Sequence, residues 1–370
     1  MGVPPIRIRA ANARPLRAGG DHVLYWMTAA RRTRRNFGLE RAVEHARALG
    51  KPLRVLEALR VDHPWASDRL HRFVLEGMAD NRARLAKRPV AYRAYVEPTP
   101  GAGAGLLEAL AARACVVVTD DYPCYFLPRM LAAAAKRLDV RVEAVDGNGL
   151  LPMVACEKVQ PTAYAFRRFL QRTLPEHLAH LPAEDPLRRL ELPVAAALPP
   201  EFDRRWPEPP RELPAALAAL ARLPIDHAVG PAPFAGGSKA GAAVLATFLD
   251  ARLPRYGEER NDPDRAATSG LSPWLHFGHV SSHDVVLAVL AREGVDPAGL
   301  VASGNGSREG WWGASPSAEG FLDQVVTWRE LGFNFTSHRP DDHDRYASLP
   351  SWARASLDAH ASDVRPVRYS

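Results

Sequence analysis

The first 150 residues alternate short apolar runs with stretches whose apolar positions recur at the helical period. The apolar runs span residues 23–27, 53–59, 91–96, 115–119 and 140–145, and helical periods occupy residues 36–49, 106–112 and 127–138. Strands that alternate with helices in this way form parallel sheets. The pattern therefore predicts an α/β domain over residues 1–155, with a five-stranded, Rossmann-like parallel sheet. A G-x-G-x-x-G motif does not follow the first strand, so we expect no standard NAD site.

The remainder of the chain changes character twice. Residues 156–236 are rich in proline, with Pro199-Pro200 and Pro209-Pro210 among the prolines that interrupt any long element, and we expect a linker with short helices there. From residue 237 the pattern becomes helical, with apolar faces over 240–253, 284–292 and 321–335. These features predict a mostly α-helical second domain over residues 237–370.

Composition and charge narrow the class of protein. The apolar content of 46% and charged content of 24% are typical of a globular chain, and no apolar stretch is long enough to span a membrane. Three irregularly spaced cysteines do not form a disulfide framework, which favours a reducing cytoplasm. The net charge of +6 permits a polyanionic partner, although we favour genomic base composition as the cause of the abundance of arginine.

A segment in the second domain carries the most specific chemistry. Ser272 followed by Pro273 predicts a helix start, with serine as N-cap and proline in the first turn. Thr268, Ser269 and Gly270 precede it and supply hydroxyls and backbone N–H groups. Such groups at a helix start suit a phosphate or pyrophosphate. A plain capped loop is the alternative interpretation.

The same segment resembles the flavin-binding signature of the photolyase/cryptochrome family. The matching residues are a tyrosine, an arginine four positions later and the run T-S-G-L-S-P-W-L-H-F-G over 268–278. The resemblance implies that FAD is held by Tyr256, Thr268, Ser269, Gly270, Leu271 and Ser272. It also implies that Arg260 contacts the backbone of damaged DNA.

Further segments are similar to class II cyclobutane-pyrimidine-dimer photolyases in particular. They are residues 23–27, 116–120 with Pro128-Arg129, 321–335, and His360 to Asp363 with Tyr369-Ser370. The resemblance implies light-driven repair of pyrimidine dimers by electron transfer from reduced FAD in a monomeric enzyme. It also implies an antenna chromophore, a deazaflavin or a folate, in the first domain.

The stretch 321–335 resembles the helix that lines the flavin and lesion pocket in class II enzymes. Gln324, Trp328 and Leu331 share one helical face. The resemblance implies a flavin contact for Gln324, catalytic roles for Trp328 and Glu330, and DNA contacts for Trp328 and Arg329. The alternatives are a core tryptophan and a solvated Arg329–Glu330 charge pair.

Class II photolyases continue past the position of Ser370 into further helices that complete the flavin site. We therefore expect either a fragment or a shortened homologue. A non-catalytic DNA-binding or light-sensing protein, or an inactive fragment, is the alternative function.

Four remaining features carry weaker signals. His279 and His283 have a spacing that suits a metal pair, but no third ligand accompanies them, and we expect no metal site. Arg31, Arg32, Arg34 and Arg35 form either a solvated basic face, the interpretation we favour, or a phosphate contact. Trp311-Trp312 fits either a mobile aromatic wedge for DNA or an anchor against the helical domain. Cys115 is expected to be an inert core thiol.

Overall fold

The computed structural model describes residues 2–364 and residue 367. Its first part is built on one six-stranded sheet with the spatial order β1-β6-β5-β2-β3-β4. The strands are β1 (Ile8–Ala10), β2 (His22–Met27), β3 (Leu53–Leu59), β4 (Val90–Val96), β5 (Ala114–Asp120) and β6 (Val142–Val145). The five predicted strands are all present, and each lies within two residues of its expected bounds at either end.

The strand β1 was not expected. It pairs antiparallel with β6, where Ile8 lies opposite Val145, whereas every other neighbouring pair in the sheet is parallel. The sheet therefore has six strands, and the five-strand prediction is corrected by one edge strand. Three residues are too short to show an alternating pattern, and tertiary pairing rather than local sequence places them in the sheet.

Helices cover both faces of the sheet. They are α1 (Phe37–Leu49), α2 (Asp68–Leu85), α3 (Leu106–Ala111) and α4 (Leu127–Arg137). Because successive strand residues point to opposite faces, Tyr25 and Val118 pack with α1, while Trp26 and Val117 pack with α3 and α4. The helix α1 begins after Asn36, whose side chain accepts the Leu39 N–H. Its predicted span is confirmed.

The connecting segment carries α5 (Ala163–Leu178), α6 (Pro200–Arg205) and α7 (Leu213–Ala219). The helix α5 is longer than its sequence pattern predicts and contains Pro175. Its buried face, including Phe166 and Leu170, belongs to the hydrophobic core of the helical part. This portion of the linker is therefore packed structure.

The helical part contains α8 (Ser238–Thr247), α9 (Tyr256–Glu259), α10 (Ser272–His276), α11 (Ser282–Arg292), α12 (Pro316–Leu322), α13 (Arg329–His338) and α14 (Ser351–Ala359). Two π-helical turns interrupt it, Phe248–Arg252 after α8 and Asp323–Trp328 between α12 and α13. The helix predicted over 321–335 is thus part of a longer run whose period changes in the middle. Such π-helical turns are frequent at functional sites.

Candidate functional site

An aromatic cluster forms the base of the predicted flavin site. The ring centroid of Phe321 on α12 lies 4.5 Å from that of Phe248 and 5.3 Å from that of Tyr256. Both Phe248 and Tyr256 are buried. The cluster packs α12 against the first π-helical turn and α9, and thereby fixes the position of Tyr256. Edge-to-face aromatic packing of this kind is favourable beyond its buried area.

Arg260 follows α9 directly, and its guanidinium packs against the same aromatic cluster. Its guanidinium lies 5.5 Å from the centre of the Tyr256 ring, and Nη1 donates to the Gly320 carbonyl over 3.3 Å. The Gly257 N–H donates to Ser317 Oγ over 3.0 Å. Tyr256 and Arg260 are therefore brought together as predicted, on a segment docked against α12.

The segment 267–272 has two buried residues, and the residues between and after them face solvent. Ala267 and Leu271 are fully buried, whereas Thr268, Gly270 and Ser272 are exposed and Ser269 is half-buried. The buried side chains of Ala267 and Leu271 thus hold the hydroxyls of Thr268 and Ser269 and the backbone between them towards solvent. Gly270 has a φ of +70°, a left-handed conformation that glycine adopts without strain.

The prediction that Ser272 is an N-cap is wrong by one residue. The helix α10 begins at Ser272 itself, and Leu271 occupies the cap position with a backbone already near helical geometry. Ser269 Oγ instead accepts the Leu271 N–H over 3.3 Å, which closes a turn before the helix. Leu271 takes the cap position because its side chain is an apolar anchor of the core.

The second π-helical turn presents Gln324 and Trp328 to solvent. Both side chains are exposed, and 51% of Trp328 is accessible. The core-tryptophan alternative is therefore excluded. Leu331 is half-buried and packs against the helical core, so it only partly shares this face. Buried neighbours hold the turn, since Arg167 on α5 donates to both Asp323 oxygens at 2.8 and 3.1 Å.

Glu330 does not share the exposed face of Gln324 and Trp328. It is buried, and its carboxylate accepts the Leu150 N–H over 2.6 Å and the Leu151 N–H over 2.9 Å. Burial raises the pKa of Glu330 to about 7, against the opposing effect of these two N–H groups and of the charges on Arg329 and Arg7. The solvated charge-pair interpretation is therefore wrong for Glu330, which joins α13 to the segment after β6.

Arg329 contacts the same segment. Its Nη1 donates to the Asn148 carbonyl, and its guanidinium lies 4.6 Å from the centre of the Phe333 ring. Burial lowers its pKa. Arg329 and Glu330 thus fasten the helix that follows Trp328 to the α/β part. The structure separates them from the exposed face of Gln324 and Trp328.

The basic cluster near residue 32 is not a solvated face. Arg32 is buried and donates to the Gly278 carbonyl over 3.1 Å, and Arg35 donates to Asp284 over 2.9 Å. Arg31 pairs with Glu57 at 3.2 Å. Arg32 and Arg35 join the two parts of the chain, whereas Arg31 stays within the α/β part, and only Arg34 is exposed among the four. The prediction failed because charge patterning alone does not reveal buried carbonyl and carboxylate partners.

The two histidines occupy different environments. His279 Nδ1 accepts the Gly237 N–H over 2.9 Å, and its ring stacks on Phe73. His283 packs edge-on against Phe37. Within residues 2–364 and 367, no group of three or more His, Cys, Asp or Glu side chains is arranged to hold a metal.

The tryptophan pair is an anchor. Trp312 is buried in the helical core, and Trp311 packs beside it with Nε1 donating to the Val301 carbonyl over 3.2 Å. The wedge alternative is therefore excluded for Trp312. Cys115 is fully buried in the sheet, and burial raises the pKa of its thiol, as expected for an inert core residue. The proposed match at Tyr369-Ser370 lies outside the described residues.

A cavity of about 820 Å³ lies at the carboxyl ends of the parallel strands. Its walls are mostly aromatic and aliphatic, with Trp26, Tyr95, Phe126 and Phe277 among them, and His63 and Trp65 stand at the end of β3. Ligands of open α/β sheets bind at this edge, where the strand order reverses. The sequence pattern contained that signal, since β2 and the strands beside it were predicted correctly, but it did not identify these side chains.

The loop beside this cavity is held by one buried carboxylate. At the end of β5, Asp120 Oδ2 accepts the N–H groups of Thr28, Ala29 and Ala30 at 2.7–2.9 Å, and Oδ1 accepts the Tyr25 hydroxyl over 2.7 Å. Three backbone donors on one oxygen fix the turn that follows β2. The cavity wall and the Arg31–Arg32 contacts therefore rest on a rigid loop.

The fold belongs to a known class of two-part proteins. It is similar to a class III photolyase from Agrobacterium tumefaciens, with a TM-score of 0.60, 20% identity and coverage of 87% of this chain and 60% of that one. It is also similar to the cryptochrome of Synechocystis sp. PCC6803, with a TM-score of 0.55, 16% identity and coverage of 86% and 61%. The predicted fold class, an α/β part followed by a helical part, is confirmed.

Sequence comparison gives the family. The family model described as DNA photolyase matches residues 23–187. A deoxyribodipyrimidine photo-lyase of Methanothermobacter thermautotrophicus is 30% identical over 365 residues, which cover 98% of this chain and 72% of that protein. One from Oryza sativa is 30% identical and covers 95% and 65%. The chain belongs to the DNA photolyase family, and its relatives carry the name of an enzyme, as the sequence predicted.

The chain spans 60–72% of the length of these four relatives. Among the described residues, no helix is long and apolar enough to cross a membrane.

Proposed function

We propose that this chain takes part in light-driven repair of cyclobutane pyrimidine dimers in DNA, with reduced FAD as its cofactor. When bound, reduced FAD supplies the light-absorbing group and the electron donor. The observation that carries the proposal is the outward-facing stretch 268–270, held between the buried residues Ala267 and Leu271, with the exposed Ser272 directly after it. Its chemistry suits a dinucleotide, because hydroxyls and outward backbone groups bind pyrophosphate.

The proposal assigns each residue of the FAD site a separate role. Thr268, Ser269 and Ser272 donate their hydroxyls to the pyrophosphate, and Gly270 lets the backbone approach it closely. Leu271 supports that surface from the core, and Tyr256 holds the pyrophosphate from its own segment. Gln324 contacts the flavin from the π-helical turn.

Damaged DNA is the proposed partner. Arg260 neutralises a backbone phosphate, since its guanidinium is only half-buried and makes no ion pair with any described residue. Trp328 stacks on the extruded dimer, because half of its surface faces solvent. Extrusion costs less for a damaged pair than for an intact one. Arg329 is left out of the proposed DNA surface, because its guanidinium is held by the Asn148 carbonyl and the Phe333 ring.

Glu330 acts by positioning Trp328 rather than by contacting the dimer. Two backbone N–H groups of the segment 150–151 orient its carboxylate, and this fixes the start of α13. The catalytic roles predicted for Trp328 and Glu330 thus become a contact role and a positioning role. Assignment to class II rests on the sequence resemblance.

We further propose that the 820 Å³ cavity holds the antenna chromophore, a deazaflavin or a folate. The volume suits a cofactor of this size, and the aromatic walls suit a flat ring. Purified protein is mixed with each chromophore and passed over gel filtration. Retention of an absorption band with one of them supports the assignment, and retention unchanged in Leu107→Trp, which fills the cavity, contradicts it.

A reducing cytoplasm remains the proposed location, because Cys115, Cys124 and Cys156 are free thiols. We also propose a monomer, which sedimentation of the purified chain tests directly.

The decisive experiment records FAD retention and then dimer repair. The chain is incubated with FAD, gel-filtered and scanned for flavin absorption, and a dimer-containing oligonucleotide is then assayed in blue light and in the dark. Thr268→Ala/Ser272→Ala should weaken FAD retention, whereas the exposed Thr99→Ala in the α/β part serves as the matched control. Flavin retention with light-dependent repair supports the proposal. Retention without repair favours the light-sensing alternative, and DNA binding without retention favours a non-catalytic DNA-binding relative.

A further inference from the structure

A second cavity, of about 750 Å³, lies at the opposite edge of the sheet. It is bounded by the amino-terminal ends of β2, β3 and β5 and by residues 194–206 of the connecting segment. Neither the segment 267–272 nor the 820 Å³ cavity shares a residue with it. It is therefore a separate feature of the fold.

Cationic side chains outnumber carboxylates around this cavity. Four cationic side chains line it, and two carboxylates, Asp21 and Glu201, accompany them. Arg113 pairs with Asp21, while Glu201 pairs with Arg204. Among the described residues, the other three cations at the cavity make no ion pair; they are Lys51, Arg54 and Arg205. An excess of unpaired positive charge in a partly enclosed space attracts anions.

Several buried polar atoms at the same place have no partner. Within the described part of the chain, no hydrogen-bond partner exists for His22 Nε2, Arg54 Nε or Trp206 Nε1. His22 and Trp206 are 5% and 4% exposed. A buried polar group without a partner is unfavourable, so its presence calls for a ligand or water. Burial and the nearby Arg54 charge lower the pKa of His22 to about 4, which leaves the ring neutral and its Nε2 able to accept.

The rest of the lining is apolar. Leu110, Leu198 and Phe202 face the cavity together with a short alanine run from the connecting segment. The guanidinium of Arg54 donates to the carbonyl of Ala196 and so fixes this wall against β3. An inorganic ion alone would leave the apolar wall uncovered. The lining suits an apolar body that carries one anionic group.

We propose that this cavity binds a small organic phosphate with a flat apolar body, whose phosphate lies between the unpaired Lys51 and Arg54, beside the Arg113–Asp21 pair. Its body packs on Leu198 and Phe202, and a hydroxyl or ring N–H of the ligand donates to His22. Arg205, on the rim, contributes to the attraction. Occupancy ties the connecting segment to the sheet, because the ligand contacts both.

The test uses titration calorimetry with 1-naphthyl phosphate at low ionic strength, with inorganic phosphate and 1-naphthol as separate probes. The double variant Lys51→Gln/Arg113→Gln removes two of the cations from a region where both side chains reach solvent. Its matched control is Lys87→Gln/Arg69→Gln, which removes two solvent-exposed cations outside the cavity. Circular dichroism and thermal unfolding verify that all variants fold.

We expect 1-naphthyl phosphate to bind more tightly than either partial probe. The cavity variant should weaken its affinity at least tenfold, and the control should leave it unchanged. Equal affinity in all three proteins, or no binding to the wild type, overturns the proposal. Thr268→Ala/Ser272→Ala is titrated as well, because a loss confined to that variant assigns the binding to the flavin segment and overturns the proposal, whereas the proposed repair activity stands or falls separately.

Discussion

Glu330 makes the stability of this protein depend on pH in a defined direction. Its folded-state pKa is about 7, above its ordinary value of 4.5. The folded chain therefore binds the Glu330 proton more tightly than the unfolded chain does. The resulting stabilisation is fully present below pH 4.5 and is lost as the pH rises through 7. The two pKa values correspond to a difference of about 3 kcal/mol.

Glu330→Gln isolates this contribution. The amide resembles the protonated acid in shape and does not titrate, so the wild type should lose about 3 kcal/mol of unfolding free energy relative to the variant between pH 4.5 and pH 8. Urea unfolding at several pH values in that interval measures the difference directly. Glu258→Gln, at an exposed position on α9, should follow the wild type across the range.

A constant difference between wild type and Glu330→Gln would refute the reasoning. It would mean that the two N–H donors and the neighbouring Arg7 and Arg329 charges outweigh burial, and that the carboxylate stays ionised throughout. A difference that grows in favour of the wild type with rising pH would lead to the same conclusion.

Three further predictions concern single side chains. Gly278→Ala should lower the free energy of unfolding by about 3 kcal/mol or more, because a Cβ would lie 1.8 Å from a carbonyl oxygen in the loop after β2. Gly294 has a similar positive φ but open space around it, so Gly294→Ala should cost only about 1 kcal/mol when both variants are unfolded in urea. Asp323→Asn should cost about 3–5 kcal/mol in the same assay by leaving Arg167 buried and unpaired, and a variant that replaces both residues with apolar ones should recover much of that loss. Arg260→Ala should reduce the dependence of duplex affinity on salt by about one phosphate contact, and an unchanged slope in fluorescence-anisotropy titrations would remove Arg260 from the DNA surface.

Local periodicity predicted the elements that carry strong local signals. The helix α1 combines an asparagine cap, an apolar face and a terminal glycine at φ +60°, and its span was predicted within one residue. The strand β5 is a continuous β-branched run buried on both faces. Such segments specify their conformation before tertiary contacts form.

Other features depend on partners distant in sequence. β1 exists because it pairs with β6, about 135 residues later. Arg32 is buried because a carbonyl at Gly278 accepts from it, and Glu330 is buried because two N–H groups near residue 150 donate to it. Patterns of charge and hydrophobicity record the residue but not the partner. The family resemblance predicted that residues 268–272 hold FAD, but it did not show that Trp328 is exposed while Glu330 is buried against residues 150–151.

The π-helical turn between α12 and α13 changes the side-chain register within the helical run over residues 316–338. One residue of an α-helix advances the side-chain direction by about 100°. Deleting a single residue from 323–328 would restore a uniform helix and rotate everything after it by that angle. Trp328 and Glu330 would turn together relative to α12, so either the buried contacts of α12 would be lost, or both the exposure of Trp328 and the two N–H donors of Glu330. The extra residue therefore sets the register between α12 and α13, and a length change of one residue there is more disruptive than most substitutions.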